Sequence, residues 1–360
     1  DTYETDSRNP EIEKASDLVT DLSRRDFTIN SIAYSLETNE LIDPFSGLKD
    51  LASGTISTPD DPIISFSDDP LRMLRVCRFA STHGFSPDNE TYIAMKENIE
   101  RIKIITKERI RDEINKLLVG KNPSMGIRTL VESGLSLYII PEINELKIEV
   151  DPKHHHKDVY EHTLAVLDGV PPKLTLRMGA LLHDIAKPNT KGIENGKVHF
   201  RHHEVVGARM TKKILKGLKY DNKTIEDIAL LVEQHLRPHT FKMGWTDSAV
   251  RRYIVDAGHM LEDLNELVRA DVTTKNKIKA KEIYENLDEM EKRIEEVKAK
   301  EELSKIRPAL SGDEIMEHFN IQPGPKVGVI MKALYEQRIN DGEVSKEDAL
   351  KLAEETYKNL

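Results

Sequence analysis

The chain has 360 residues, 38% hydrophobic, 32% charged and only 5% aromatic, which suits two or three helix-rich domains with real cores and argues against a strand-dominated sandwich. A formal net charge of −10 argues against indiscriminate attraction to nucleic acid, so any such partner has to be gripped by local basic patches. The single cysteine, Cys77, excludes an internal disulfide framework and fits a reducing cytoplasm; residues at the start of this sequence do not read as a secretory h-region, and no apolar run approaches about 18 residues.

Asp1-Thr2-Tyr3 opens the chain without an initiator Met or a helix cap and reads as a cut edge, with roughly a hundred residues of a domain expected upstream. Residues 17–34 read as a turn leading into a short helix or strand. A small hairpin follows, with Ser35-Leu36 and Leu41-Ile42 on either side of a turn, and then the turn cluster Asp43-Pro44-Phe45-Ser46-Gly47. From Asp69 the period becomes helical. Leu71, Leu74 and Cys77 form one apolar stripe, and Ile110, Ile114, Leu117 and Leu118 another. Gly120, Pro123, Gly134 and Pro141 punctuate a run of short helices. A histidine-dense unit runs from Pro152 to about Asn276. Beyond it, Ile283, Leu287, Met290, Ile294 and Val297 alternate at spacings of four and three, the seam of a long helix packed along one edge. A helical tail with a turn at Gly324-Pro325 closes the chain.

Two segments carry chemistry in the first half. Asp69-Pro70 suits a helix start, with Asp69 as cap, and on that helix Arg72, Arg75 and Arg78 stay on one side beside the apolar stripe. Upstream, Arg24-Arg25-Asp26-Phe27-Thr28-Ile29-Asn30 gathers two guanidinium groups, a carboxylate and an amide. Guanidinium forks grip phosphate oxygens, and an Asp beside an Arg offers acceptor and donor edges to a nucleobase. Each segment alone could equally be a structural ion-pair network.

RRDFTIN, IDPFSGLKDL, DDPLRMLRVCRFA and ERIRDEINKLL, in that order, resemble the class II CCA-adding enzymes and their poly(A) polymerase relatives over nearly the whole chain. The resemblance implies a mainly α protein: the remnant of an α+β nucleotidyltransferase head (1–64), a helical neck (65–150), an all-α HD domain (151–276) and a helical body and tail that bind tRNA (277–360). It implies that Arg25, Asp26 and Asn30, with Arg24 beside them, bind ribose and triphosphate. Asp69 and Arg72 then read the base of CTP or ATP as a protein template, with Asp68 where the family has Glu, and Arg75 and Arg78 follow. The 108–113 segment buttresses this neck. The family's glycine-rich turn and metal-binding aspartates, which hold magnesium for nucleotidyl transfer, are not found in this sequence. Asp1, Glu4 and Asp6 lie past their place, and this polypeptide alone is expected to add no nucleotides.

In the histidine-dense unit, His162, His183-Asp184, His203, His235 and Asp271 follow the order H…HD…H…H…D. Imidazoles and carboxylates are ligands suited to a divalent metal, whose identity the pattern leaves open, and such a metal makes hydroxide available near neutral pH. The pattern resembles the HD phosphohydrolase superfamily. That likeness favours His203 over His202, because an acidic residue, Glu204, follows it. It also implies that Lys187 holds a phosphate, although Ala186 stands where glycine is common. Substrates would be a 2′,3′-cyclic phosphate or a phosphate at a damaged tRNA end; an ordered metal staple without turnover is the plainer alternative. His154, His155, His156 and His199 read as solvent or rim residues, and His239 receives no role. Gly312–Met316 and Pro323–Gly328 resemble the module that holds the tRNA elbow, with Lys326 and Lys332 near phosphates. Expected partners are tRNA, CTP and ATP and no membrane, in an oligomeric state left open. The rival expectations are a stand-alone HD phosphohydrolase with RNA-binding helices and a catalytically dead RNA-binding remnant.

Overall fold

The computed structural model describes residues 17–148, 158–195, 197–274, 276–301 and 307–360; Asp1, Glu4, Asp6, His154, His155 and His156 lie outside the described residues. The fold is mainly α-helical, and the sheets among the described residues are three two-stranded pairs. Ala33–Ser35 pairs antiparallel with Glu40–Ile42 around the expected hairpin turn, and Lys191–Glu194 with Lys197–Phe200. Thr55–Ile56 runs parallel to Ser86–Pro87. No helix among the described residues is long and apolar enough to cross a membrane. The chain divides into two compact units, one ending at His235 and one spanning Leu236–Leu360.

In the first unit, helix Leu71–His83 is buried more broadly than its predicted stripe. Met73, Val76, Phe79 and Ala80 join Leu71, Leu74 and Cys77 inside. The reason is that it packs against both Lys107–Leu118 and Pro123–Glu132. The latter crossing is close because position 126 is glycine: a Cβ there would meet Leu117, Ser81 and the Cys77 carbonyl at 2.8–2.9 Å. Arg72, Arg75 and Arg78 are thus confined to a narrow, half-buried edge rather than an open solvated face. Beyond the neck, Leu174–Leu182 packs against Val159–Gly169 and Asn222–Gln234, and the latter against His203–Gly217; these helices carry histidines at their ends.

Neck and histidine-rich helices are pinned together by Arg177, only 5% exposed. Its guanidinium donates to the carbonyls of Leu118 and Gly120, at 3.0 and 3.2 Å, and of Val170 and Pro171, at 2.9 and 3.2 Å. Carbonyls at the end of a helix have no partner within it, and a cation suits the negative end of its dipole.

In the second unit, Leu287, Met290, Ile294 and Val297 of helix Lys277–Glu301 are buried as the heptad seam requires, with Ile283 half-buried at its start. Helices Gly312–Phe319, Pro325–Asp341 and Lys346–Lys358 enclose a small core of Leu310, Ile315, Ile330, Leu334, Ala349 and Ala353.

Candidate nucleotide and metal sites

The first constellation is built on a short helix and a tight turn. Asp17 caps Leu18–Ser23 through a hydrogen bond from the Thr20 amide at 2.9 Å, and the chain then turns through Thr28–Asn30. Helix Gly47–Ser53 braces that turn. Its Asp50 accepts from the Thr28 hydroxyl at 2.6 Å, and a Cβ at Gly47 would sit 2.1 Å from the Thr28 carbonyl oxygen. The turn cluster around Gly47 signalled a bend; its role as a platform for the preceding segment came only from the fold.

On that platform Asp26 is buried and holds two partners: Asn30 Nδ2 at 2.9 Å and Arg75 Nη2 at 2.6 Å. Arg72 donates from Nη1 to Ser65 Oγ at 2.7 Å and from Nη2 to the Arg24 carbonyl. Asp69 performs the capping expected of it, accepting from the Leu71 amide at 3.1 Å, while Arg109 stands 3.8 Å from its other oxygen. Burial pushes the Arg72 guanidinium below its ordinary range, and Asp69, Asp26 and Asp68 pull the other way, so these carboxylates lie within its electrostatic reach. Arg25 is half-exposed, 3.3 Å from Asp21 and 3.2 Å from the Asn30 carbonyl. Arg78 sits apart from this group. It gives Nε to Glu113 at 2.7 Å and lies over the Phe79 ring, joining the neck helices. Ser65, which orients Arg72, had no signal in the sequence.

The second constellation places each histidine at a helix end. His162 stands in the first turn of Val159–Gly169, whose cap is Asp158. His183 and Asp184 directly follow Leu174–Leu182, His203 begins His203–Gly217, and His235 follows Asn222–Gln234. Three rings repeat one device. Nδ1 of His183, His203 and His235 donates to the carbonyl three residues back, of Ala180, Phe200 and Val232, at 2.8, 2.7 and 2.6 Å. A carbonyl only accepts, so the proton is on Nδ1 and the Nε2 lone pairs point inward.

There they meet Asp184, which is 1% exposed: His183 and His162 Nε2 lie 3.2 and 3.5 Å from Oδ2, and His203 and His235 Nε2 lie 3.3 and 3.9 Å from Oδ1. His203 Nε2 and Asp184 Oδ1 are buried without a hydrogen-bond partner. Burial opposes ionisation of Asp184, whereas the Lys187 ammonium beside it favours the carboxylate form. Lone pairs converging on a buried carboxylate repel unless a cation lies among them, so this donor set fits a divalent metal. The candidate ligand atoms form two overlapping groups that share Asp184, each within 4.8 Å. Lys187 Nζ also reaches Asp184, at 2.6 Å, and His202 faces solvent. Asp271 belongs to the second unit, where its Oδ2 lies 3.4 Å from Nε2 of His239, a neighbour that sequence spacing did not reveal. His199 is half-buried over Gly192.

Three family descriptions match the chain: the poly A polymerase head domain over residues 1–57, the probable RNA and SrmB-binding site of polymerase A over 84–147, and the HD domain over 154–271. The A-adding tRNA nucleotidyltransferase of Deinococcus radiodurans is 32% identical over 332 residues, 88% of this chain and 74% of that protein. The CC-adding tRNA nucleotidyltransferase of Thermus thermophilus is 29% identical over 341 residues, 91% of this chain and 75% of that protein. In fold, the chain is similar to the crystal structure of the Bacillus stearothermophilus CCA-adding enzyme in complex with CTP. The TM-score is 0.62 at 22% identity, covering 96% of this chain and 76% of that one.

Proposed function

Since this chain belongs to the family of CCA-adding tRNA nucleotidyltransferases, we propose that it recognises CTP and ATP for nucleotide addition at tRNA 3′ ends, through Asp69 and Arg72. The observation that carries this reading is the seat of Arg72. Two of its five N–H groups are committed, to Ser65 and to the Arg24 carbonyl, which fixes the guanidinium plane and leaves the remaining donors to meet a base edge. Asp69 supplies the complementary acceptor. CTP and ATP differ in the order of donors and acceptors on their Watson–Crick edges, and a carboxylate paired with a guanidinium can match either with a small shift. Asp26, Asn30 and Arg75 form a linked chain that sets the neighbouring Arg24 and Arg25 for ribose and triphosphate. Arg78 contributes through the neck. Transfer draws on a divalent metal, magnesium in this reading, to which no carboxylate of this chain is assigned.

The test is equilibrium titration of the full chain with CTP and with ATP. Arg72→Ala and Asp69→Ala are expected to weaken both by about tenfold or more, equivalent to ~1.4 kcal/mol. Arg72→Lys should fare little better, because a point charge does not replace a planar fork. Wild-type affinity in folded Arg72→Ala protein would overturn the assignment.

A second reading belongs to the histidine cluster. His162, His183, Asp184, His203 and His235 would hold a divalent metal, with Asp271 the remaining position of the sequence pattern. When bound, the metal supplies hydroxide for attack on a phosphate ester, such as a cyclic phosphate at an RNA end. The inward lone pairs favour this reading over a purely structural histidine cluster. The Nδ1–carbonyl bonds orient the rings, and Lys187 balances the charge on Asp184.

A further inference from the structure

The chain's net charge of −10 conceals one strongly basic face. Helix His203–Gly217 carries Arg209, Lys212, Lys213 and Lys216 against a single carboxylate, Glu204. At 100° per residue the four cations fall within an arc of about 100°. They lie opposite the strip made by Gly207, Ala208, Thr211, Ile214 and Leu215, which is buried. All four are exposed. Glu226 of the next helix binds Lys212 at 2.6 Å, whereas Arg209, Lys213 and Lys216 have no ion pair among the described residues.

Packing against neighbouring helices does not explain this row. Arg209 with Lys213, and Lys212 with Lys216, are like charges four residues apart, a spacing that destabilises an isolated helix. The negative end of the helix dipole accounts for Lys216 but not for Arg209 or Lys213, which lie upstream of the last turn. The row also has defined ends. Its helix begins at His203 of the metal cluster. Past its other end, the exposed Lys219 accepts at its carbonyl from Arg111 Nη1 at 2.6 Å, and Tyr220 is hydrogen-bonded to Asn115. Both partners are on neck helix Lys107–Leu118, whose Arg109 stands beside Asp69.

We propose that Arg209, Lys213 and Lys216 bind the phosphate backbone of an RNA, laying it across the histidine-rich helices and the neck. Cations one helical turn apart, on a chain otherwise negative, suit a polyanion with regularly spaced charges, and a row that runs from the histidine cluster to the neck helix carrying Arg109 suits a substrate that both sites would share. The proposal rests on the reading of this chain as one that acts on tRNA.

The experiment measures fluorescence anisotropy of labelled tRNA lacking its CCA end against the full chain at several potassium chloride concentrations. It compares wild type with Arg209→Gln/Lys213→Gln/Lys216→Gln and with the corresponding triple Glu variant. The side chains are exposed, and circular dichroism checks that each variant is folded. Expected is a loss of tRNA affinity of tenfold or more at moderate salt. The slope of log affinity against log salt should become shallower by about 0.9 for each phosphate contact removed. CTP affinity should stay at the wild-type value. Unchanged tRNA affinity and slope, with CTP binding intact, would overturn the proposal while leaving the nucleotide reading in place. So would a loss confined to binding of phosphatidylserine vesicles. A wild-type chain that binds CTP but no tRNA would remove both this proposal and the tRNA reading.

Discussion

Arg177 and Arg72 show how one residue type, equally charged in both places, is put to different ends by what surrounds it. Arg177 is nearly sealed from solvent and its partners are neutral carbonyls. Removing it leaves four acceptors to be solvated or stranded, two of them at the end of a neck helix. Arg177→Ala is expected to destabilise the protein by about 3 kcal/mol, read as a lower urea midpoint, and Arg177→Lys should recover only part of it. Arg72 is instead held by two contacts with donors to spare, so its substitution should act on nucleotide affinity far more than on folding. The same contrast separates Arg75 from Arg78, three residues apart on one helix. The first answers to Asp26, the second to Glu113, 35 residues further along the chain. Spacing put them on one face; it held no information about which carboxylate would be waiting.

At the scale of elements, closeness of approach and capping decide. Helix Pro123–Glu132 meets Leu71–His83 across Gly126, and one of the atoms a methyl group would strike is backbone, which cannot swing aside. Gly126→Ala should cost about 1–3 kcal/mol by overpacking, visible as a lower melting temperature, although alanine is the better helix former. In the tail, Ser311 and Glu314 form a reciprocal capping box: the Ser311 amide donates to Glu314 at 2.7 Å, and Lys346 donates to its other oxygen at 2.7 Å. Those donors, Lys346 first, draw the Glu314 carboxyl down to about 2. A depressed carboxyl stabilises the fold above its unfolded value of about 4.3 and loses that contribution as pH falls toward its folded value. Hydrogen-exchange protection of helix Gly312–Phe319 is therefore expected to decline as pH falls from about 4 toward 2. Glu314→Gln should flatten that decline; an unchanged profile in the variant would assign it to other groups.

For the molecule as a whole, the first unit carries both a nucleotide-type constellation and a metal-type cluster, and the metal gives a global readout. A ligand at 100 times its dissociation constant stabilises the native state by about 2.7 kcal/mol, so chelation should lower the melting temperature by on the order of 5 °C. His183→Ala should melt low and no longer respond to chelator. A wild-type protein indifferent to chelation, with no metal on elemental analysis, would leave the cluster without its metal. Much of this architecture was legible from residues alone. The helical stripes, the heptad seam, the hairpin and the order of the histidines are local or periodic properties, set by where a side chain points at each step along a helix or strand. Sequence by itself also marked Asp69 as a cap, because capping is decided within three residues. Only the tertiary structure decided that Ser65 orients Arg72, that Gly47 and Asp50 brace the Thr28 turn, that four carbonyls hold Arg177, and that three imidazoles turn their Nε2 lone pairs toward Asp184. Those partners come from distant segments or from backbone groups that every residue shares, so their pairing depends on packing geometry rather than on spacing along the chain.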